Sequence, residues 1–567
     1  MRDPQEKRNL LDLVFTSNAT LTKSSTNIPG ISDHAIIITD MDTKPYYQKI
    51  IPRKSYILWR KENLQKIEDL EHLADEIKKT KKQANTEELW IIFKDSLQQS
   101  MDKNIPSKQI RSNNKLPWFN KKIKRMLKKK QSLYNQAKRT TKWSNYRFFQ
   151  KEWRKQIRKD EWNYINNAIT EGMKNNNSKP FWKYVKSRKQ DNFAVAPLKE
   201  NGKLVSQSKE KVQILIKQFS SVFTRGSVDN MPETHINLKS TIPSIKIKTE
   251  GVVKLLRNIN PSKAPGPVNI PNRILKQCAK QLAPSLAIIF QSSIDRDSIL
   301  ESYIVPKDWL NANISSIYKK GDKHSAEIYR PVSLTSVPCK FLEHIICRNM
   351  MNHLEKHNIL TSLNNGFRSG YSCETQLAVT IHDMLQSFDR KKQFDIVILD
   401  FSKAFDTVPH DRILHKLNNY GIRGPLHSWL TTFLTKRKMR VALEEKFSNE
   451  ATVESGVPQG TVLGTILFLC HINDLPNAVS SKIQLFADDC LLYREINNEN
   501  DQNTLQKDLQ NLEKWATNWG MRFNAKNCYM LSLRKKIQGS YKLDGHTLEQ
   551  VPSNPYLGVR STNTRRY

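Results

Sequence analysis

Two adjacent acids in the middle of an apolar hairpin constrain this chain more than any other feature. The stretch Lys482 to Arg494 reads KIQLFADDCLLYR. Ile483, Leu485 and Ala487 alternate on the way in, and Cys490, Leu491, Leu492 and Tyr493 lead out. The pattern predicts two short β-strands joined at Asp488-Asp489. Neighbouring carboxylates in such a turn repel each other and lose hydration. A divalent cation shared with a third carboxylate offsets that cost. An isolated Ala-Asp-Asp reads as an ordinary solvated turn, so the decision lies in the residues that precede it.

A third carboxylate is available at the end of an apolar strand. In FDIVILDFSKAFDTVPHDRILHKL, spanning 394–417, Asp400 closes the run IVILD. A carboxylate there is expensive unless it meets a metal or a cation. Phe405 follows, and Asp406 stands ahead of a helix beginning near His410. Ser455-Gly456-Val457-Pro458-Gln459-Gly460 is a turn leading into an apolar helix over 462–472. Backbone with few side chains lets a nucleotide or base pair approach closely. Upstream, NISSIYK and YRPVSLTS predict two strands around the basic turn Lys319-Lys320-Gly321-Asp322-Lys323. Such a turn suits a triphosphate, with Arg330 placed for bidentate contacts. Asn365-Gly366-Phe367-Arg368-Ser369-Gly370 precedes a helix from about Cys373 to Asp389. Its glycines suggest close backbone approach, here to a template strand.

Charge names the class of partner. The 567 residues carry a formal net charge of +37. A surplus of that size points to a polyanion, nucleic acid ahead of an acidic membrane surface. It is concentrated: between Lys108 and Lys159 there are 19 Lys or Arg and a single acid, Glu152. Trp118, Phe119, Tyr134, Trp143, Tyr146, Phe148, Phe149 and Trp153 are interleaved with them. Cations neutralise phosphates while rings stack on bases or pack inward. No apolar run is long enough to span a bilayer, so no membrane partner is expected. The seven cysteines are scattered, without a Cys-x-x-Cys pair. They read as reduced thiols of an intracellular protein. The run KKIKRMLKKK over 121–130 suits nuclear targeting, so the nucleus and cytoplasm are the expected locations.

In order and spacing, these segments resemble the A, B and C motifs of reverse transcriptases. The wording LDFSKAFDTVPH, SGVPQG and FADD resembles the non-LTR retrotransposon branch, jockey-like elements in particular. KKGDK with YRPVSLTSV, and NGFRSG with CETQL, resemble its fingers motifs, and Tyr556-Leu557-Gly558-Val559 resembles its motif near the primer strand. The resemblance implies an α+β right-hand polymerase with fingers, an antiparallel palm sheet and the start of a thumb. It implies two Mg²⁺ ions, with Mn²⁺ as a substitute, held by Asp400 and Asp488 with Asp489 assisting. It implies that Phe405 excludes a 2′-hydroxyl and that Gln459 contacts the template or the incoming nucleotide. Arg330, with Lys319 or Lys320, would neutralise the triphosphate. The implied partners are an RNA template, a DNA primer or target, and dNTPs. The chain departs from the family pattern at Asn527, where a Lys is expected, and at Thr465, where a Pro is usual. These departures leave a second reading, a catalytically inert nucleic-acid-binding relic.

Near the beginning, Pro29-Gly30-Ile31-Ser32-Asp33-His34 lies between the strand-like runs 10–17 and 34–41. This Ser-Asp-His turn resembles the last catalytic motif of the apurinic-type endonuclease family. There an Asp orients a His at the scissile phosphate. Jockey-like elements carry such a domain ahead of the polymerase. The metal ligands and earlier strands of that fold are not in the chain, so no DNA cleavage is expected from this remnant. The layout expected is an endonuclease remnant over 1–45, a basic helical region over 46–190 and a helical extension of the fingers over 191–300. Fingers and palm follow over 301–560, with the start of a thumb over 561–567.

Overall fold

The computed structural model describes residues 22–28, 36–41, 55–57, 70, 72–105, 107–109, 116, 118–175, 177–188, 195–224, 231–295, 304–557 and 559–562. Asp33 and His34 lie outside the described residues, as do 563–567 of the expected thumb. The chain divides into two compact units, one of 1–58 with 107–190 and one of 59–106 with 191–567.

In the first unit, strand Thr22–Ile28 pairs antiparallel with Ile36–Met41, and Ser55–Ile57 with Ser107–Gln109. Two basic helices follow, α1 (Lys121–Thr140) and α2 (Ser144–Asn163). Asn120 caps α1, its side chain accepting from Ile123 N at 2.9 Å. The same side chain donates to Asp160 Oδ2 at 2.7 Å, tying the start of α1 to the end of α2 and making the pair antiparallel. Several of the interleaved aromatics lie between these helices. Tyr134, Trp143 and Tyr146 meet edge to face, Lys129 lies over Phe149, and Lys130 lies over Trp153. Trp118 is buried, with its ring near Tyr164 and Tyr184.

The second unit takes in residues that a reading by charge assigns to the basic region. Helix Thr86–Asn104 buries Trp90 and Phe93. Trp90 packs edge-on to Trp309, which in turn meets Phe290, and its indole N–H donates to Asp308 Oδ2 at 3.0 Å. Burial of that aromatic cluster, rather than local composition, groups 59–106 with 191–567.

In chain order, the elements framing the acidic hairpin are β1 (Asn311–Tyr318), β2 (Tyr329–Leu334), α3 (Val337–Lys356), α4 (Cys373–Asp389), β3 (Gln393–Asp400), β4 (Lys438–Leu443), α5 (Leu463–Ile472), β5 (Lys482–Phe486), β6 (Asp489–Ile496) and β7 (Tyr529–Leu533). They build two sheets. In one, β1 lies between β4 and β2, parallel to the first and antiparallel to the second. In the other, the order is β5-β6-β3-β7, antiparallel throughout, with Glu549–Gln550 added parallel at the edge. β3 is central, and residues 393–397 are buried on both faces. This is why Ile396 to Leu399 form an apolar run instead of an alternating one, while the buried Gln393 and Asp395 are hydrogen-bonded to each other at 3.0 Å. The result is the mixed helix-and-sheet arrangement that the strand and helix patterns predict. Among the described residues no helix is long and apolar enough to cross a membrane.

Candidate active site

The hairpin forms where the pattern puts it, with its turn one residue earlier. Phe486 pairs with Asp489, so Ala487 and Asp488 make the turn and Asp489 opens β6. Ala487 has φ +55°, a left-handed conformation uncommon for a residue with a Cβ.

Register then brings the acids together. β6 and β3 pair without a break from Ile496 opposite Gln393 to Asp489 opposite Asp400. Directly opposed residues stand about 5 Å apart at Cα. Two carboxylates 89 positions apart in sequence are thus cross-strand neighbours, with Asp488 beside them in the turn. Partial burial raises the Asp489 carboxyl to about 6, helped by repulsion from Asp488 and Asp400. Asp489 is exposed by surface area, and the pairing with Asp400 gives the repulsion its geometric basis. Asp488 is also raised, first by burial and then by Asp400. Lys319 and Arg330 oppose both shifts, so the basic turn between β1 and β2 lies within electrostatic reach of the hairpin. Lys320 sits next to Lys319 in that turn and is exposed.

Asp400 is anchored from a third direction. Its carbonyl accepts from Asn524 N at 2.8 Å, and its Oδ2 accepts from Asn527 Nδ2 at 3.0 Å. Three carboxylates on one hairpin and one strand end are the hard oxygen donors that a divalent cation takes. As placed, no three His, Cys, Asp or Glu side chains converge into a metal-holding group among the described residues. The donor set fits a hard cation in kind.

The turn 455–460 is stitched to the segment after Asp400. Val457 N donates to Phe405 O and Gly456 N to Val408 O, both at 2.7 Å. Ser455 Oγ donates to Asp406 O at 2.8 Å. Gly456 has φ +90°, and a Cβ there would fall 2.7 Å from the carbonyl oxygens of Phe405 and Asp406. Gln459 Nε2 donates to Asp406 Oδ1 at 3.3 Å, while its carbonyl accepts from Ser333 N on β2 at 2.9 Å. Phe405 is half-buried. Its ring stacks on Phe468 of α5 at 4.4 Å and stands edge-on to Phe367 at 6.4 Å. Phe405, Asp406 and Gln459 share the lining of a small pocket of about 40 Å³ with Arg437, Ser333 and Pro458.

Sequence reasoning passed over two residues of this site. Asp406 is one: burial raises its carboxyl to about 6, opposed by Lys403, Gln459 and Arg330. The signal was its position directly after Phe405. Asn527 is the other, noted only as a departure and now found on Asp400. The glycine reading changes partner. Gly366 approaches protein, not a ligand: a Cβ there would lie 2.4 Å from Ala487 N. Asn365 N donates to Leu485 O and Leu485 N to Leu363 O, so 363–366 runs along the outer edge of β5. Gly366→Ala is therefore expected to push back the turn that carries Asp488. The expected effects are about 1–3 kcal/mol lost from stability and roughly tenfold or more from any activity of the acids, read by melting and primer extension. A variant indistinguishable from wild type in both would show that the turn tolerates the shift.

Residues 317–561 match the family described as reverse transcriptase (RNA-dependent DNA polymerase). The chain is 28% identical over 400 residues to the probable RNA-directed DNA polymerase from transposon BS of Drosophila melanogaster, covering 67% of this chain and 43% of that protein. It is 27% identical over 429 residues to the RNA-directed DNA polymerase from mobile element jockey of Drosophila funebris, covering 71% and 46%. It is 24% identical over 249 residues to the retrovirus-related Pol polyprotein from type-1 retrotransposable element R2 of Popillia japonica, covering 40% and 33%. The chain thus spans less than half the length of these relatives. The matched segment begins in β1 and contains the acids, Phe405, Gln459, Lys319 and Arg330, so this chain carries a reverse transcriptase domain.

Proposed function

We propose that this chain is the polymerase portion of a non-LTR retrotransposon protein of the jockey-like type, extending a DNA 3′ end on an RNA template. The observation that carries the proposal is the cross-strand pairing of Asp400 with Asp489, with Asp488 in the adjoining turn. The β1–β2–β4 sheet would serve as fingers and the β5–β6–β3–β7 sheet as palm, with a thumb beginning after them. Residues 1–45, with Asp33 and His34, are read as the end of an apurinic-type endonuclease domain. Nucleus and cytoplasm are the proposed locations.

In the reaction, the primer 3′-oxygen forms a bond to the α-phosphorus of a dNTP and pyrophosphate leaves. Asp400 and Asp488, with Asp489, would hold a pair of Mg²⁺ ions, which when bound acidify the 3′-hydroxyl and neutralise the leaving group. Arg330 and Lys319 supply fixed positive charge for the triphosphate. Gln459 is held between Asp406 and β2, and presents its turn to the nucleotide or its template partner. Phe405, braced by Phe468, would meet the sugar and exclude a 2′-hydroxyl.

The test is primer extension with an RNA template, dNTPs and Mg²⁺, run in parallel with NTPs. Phe405→Ala is expected to raise NTP incorporation relative to dNTP by about tenfold or more. An unchanged ratio would leave Phe405 as a packing residue only. The second reading, an inert RNA-holding relic, is favoured by one observation: Asn527 occupies Asp400 Oδ2. Tight RNA binding by a folded sample with no incorporation of either nucleotide would establish it.

A further inference from the structure

The first unit carries a surface that the polymerase chemistry does not use. Helix α2 has no buried residue along its length, yet its sequence contains large aromatics. Phe148 is 71% exposed and Trp162 is 64% exposed. Between them stand the exposed cations Lys151, Lys155, Arg158 and Lys159. The spacings of three and four residues place Phe148, Lys151, Lys155, Arg158 and Trp162 on one stripe. The stripe runs about 21 Å along the helix axis, with a cation roughly every 5.4 Å turn. Asp160, whose two oxygens accept from Asn120 and Gln156, contributes a single negative charge that leaves the row of cations in excess. Two further acids lie on the helix: Glu152, which is exposed, and Glu161 beside Trp162, which accepts from the Tyr184 hydroxyl at 3.5 Å.

The aromatics of this helix pair divide into two kinds. Phe149 and Trp153 lie under lysine ammonium groups of α1, and Trp143 and Tyr146 pack with Tyr134. Phe148 and Trp162 point to solvent instead. Exposed rings flanking a cationic row match the design of single-strand binding, in which bases stack on rings and phosphates meet cations. A duplex hides its base faces, and the deep, narrow major groove of an RNA duplex shuts out side chains.

We propose that the outer stripe of α2, from Phe148 to Trp162, is a binding surface for single-stranded RNA, with the two rings as stacking platforms and Lys151, Lys155 and Arg158 on the phosphates. That the strand is RNA rather than DNA rests on the polymerase reading. The stripe itself does not depend on the acids of the hairpin.

The test uses the full chain without nucleotides and measures binding of a labelled, unstructured RNA oligonucleotide by fluorescence anisotropy across a salt series. Phe148→Ala with Trp162→Ala is expected to weaken binding by about tenfold or more and to leave the salt dependence unchanged. Lys151→Gln with Lys155→Gln and Arg158→Gln is expected to flatten the slope of log affinity against log salt by about two. Phe148→Tyr with Trp162→Phe should restore binding. All these positions are exposed, so unchanged helicity and melting are expected and are checked alongside. Wild-type affinity in both substituted proteins would overturn the proposal. Tighter binding of duplex RNA or of single-stranded DNA would do the same, as would preferential capture by phosphatidylserine vesicles. Asp488→Asn is expected to leave RNA binding intact, so failure of the stripe and failure of the polymerase reading are separable.

Discussion

Asp488→Asn is expected to abolish nucleotide incorporation, by about 10³-fold or more, while making the metal-free protein more stable. The first half follows from the role proposed for the carboxylate. The second follows from its surroundings. Asp488 is raised from its ordinary range by burial and by Asp400, and Asp489 is raised to about 6 by burial and both neighbours. An acid raised on folding contributes stability that is fully present below its unfolded value and is lost as pH rises through its folded value. At pH 8 without metal, the ionised cluster therefore works against the fold. Neutralising Asp488 removes one charge and relieves Asp489 of its nearest repulsion. The variant should melt above wild type at pH 8 in chelator, and the difference should close near pH 4. Adding Mg²⁺ should reverse the order. Wild type gains stability by mass action, whereas the variant, lacking a ligand, gains little. Melting curves at two pH values with and without Mg²⁺ check all of this. Retention of incorporation within tenfold, or an equal Mg²⁺ gain in both proteins, would sink the metal-holding role.

The same cluster shows what a sequence can and cannot convey. Alternating apolar residues around Asp488-Asp489, the strand ending at Asp400 and the Gly-Pro turn before an apolar helix are local patterns, and each element forms where its pattern lies. The turn sits at Ala487-Asp488 because Phe486 pairs with Asp489, and periodicity leaves a one-residue ambiguity at a hairpin tip. Pairing across sheets is not local. Nothing in the run IVILD states that Asp400 will face Asp489, or that β7 will flank β3 on its other side. The grouping of 59–106 with 191–567 depends on Trp90 meeting Trp309, 219 positions away. Gly366 was legible as a close-approach glycine, but its partner was not, because the partner is backbone at Ala487 rather than a ligand. Asp406 stayed hidden because an acid beside a functional aromatic looks like a helix-start acid. Only the enclosing turn 455–460 makes it costly.

That cost makes Asp406 the second large expectation: Asp406→Asn should stabilise the protein and impair incorporation. Its carboxyl is raised to about 6, against an ordinary 3.8, chiefly by burial. A shift of that size corresponds to on the order of 3 kcal/mol. Asp406 as a whole is half-buried, and screening reduces the figure to about 2. The sign is again that of an acid raised on folding: the penalty is absent below about pH 4 and fully present above pH 6. At pH 7.5 the variant should therefore be more stable by about 2 kcal/mol, with the gain gone at pH 4. Its Oδ1 still accepts from Gln459, so geometry is retained and the loss is of charge alone. That charge is coupled to Lys403 and Arg330, and Arg330 is one of the cations proposed for the triphosphate. Without it Arg330 loses a nearby counter-charge, and the Michaelis constant for dNTP should rise several-fold with a smaller change in turnover. Equal stability of variant and wild type at pH 7.5 would show that the carboxyl is better solvated than its enclosure implies. Greater stability with full activity would remove Asp406 from the site and leave its burial as a packing accident. The expected combination is the one that distinguishes a group held at a thermodynamic disadvantage by what it does.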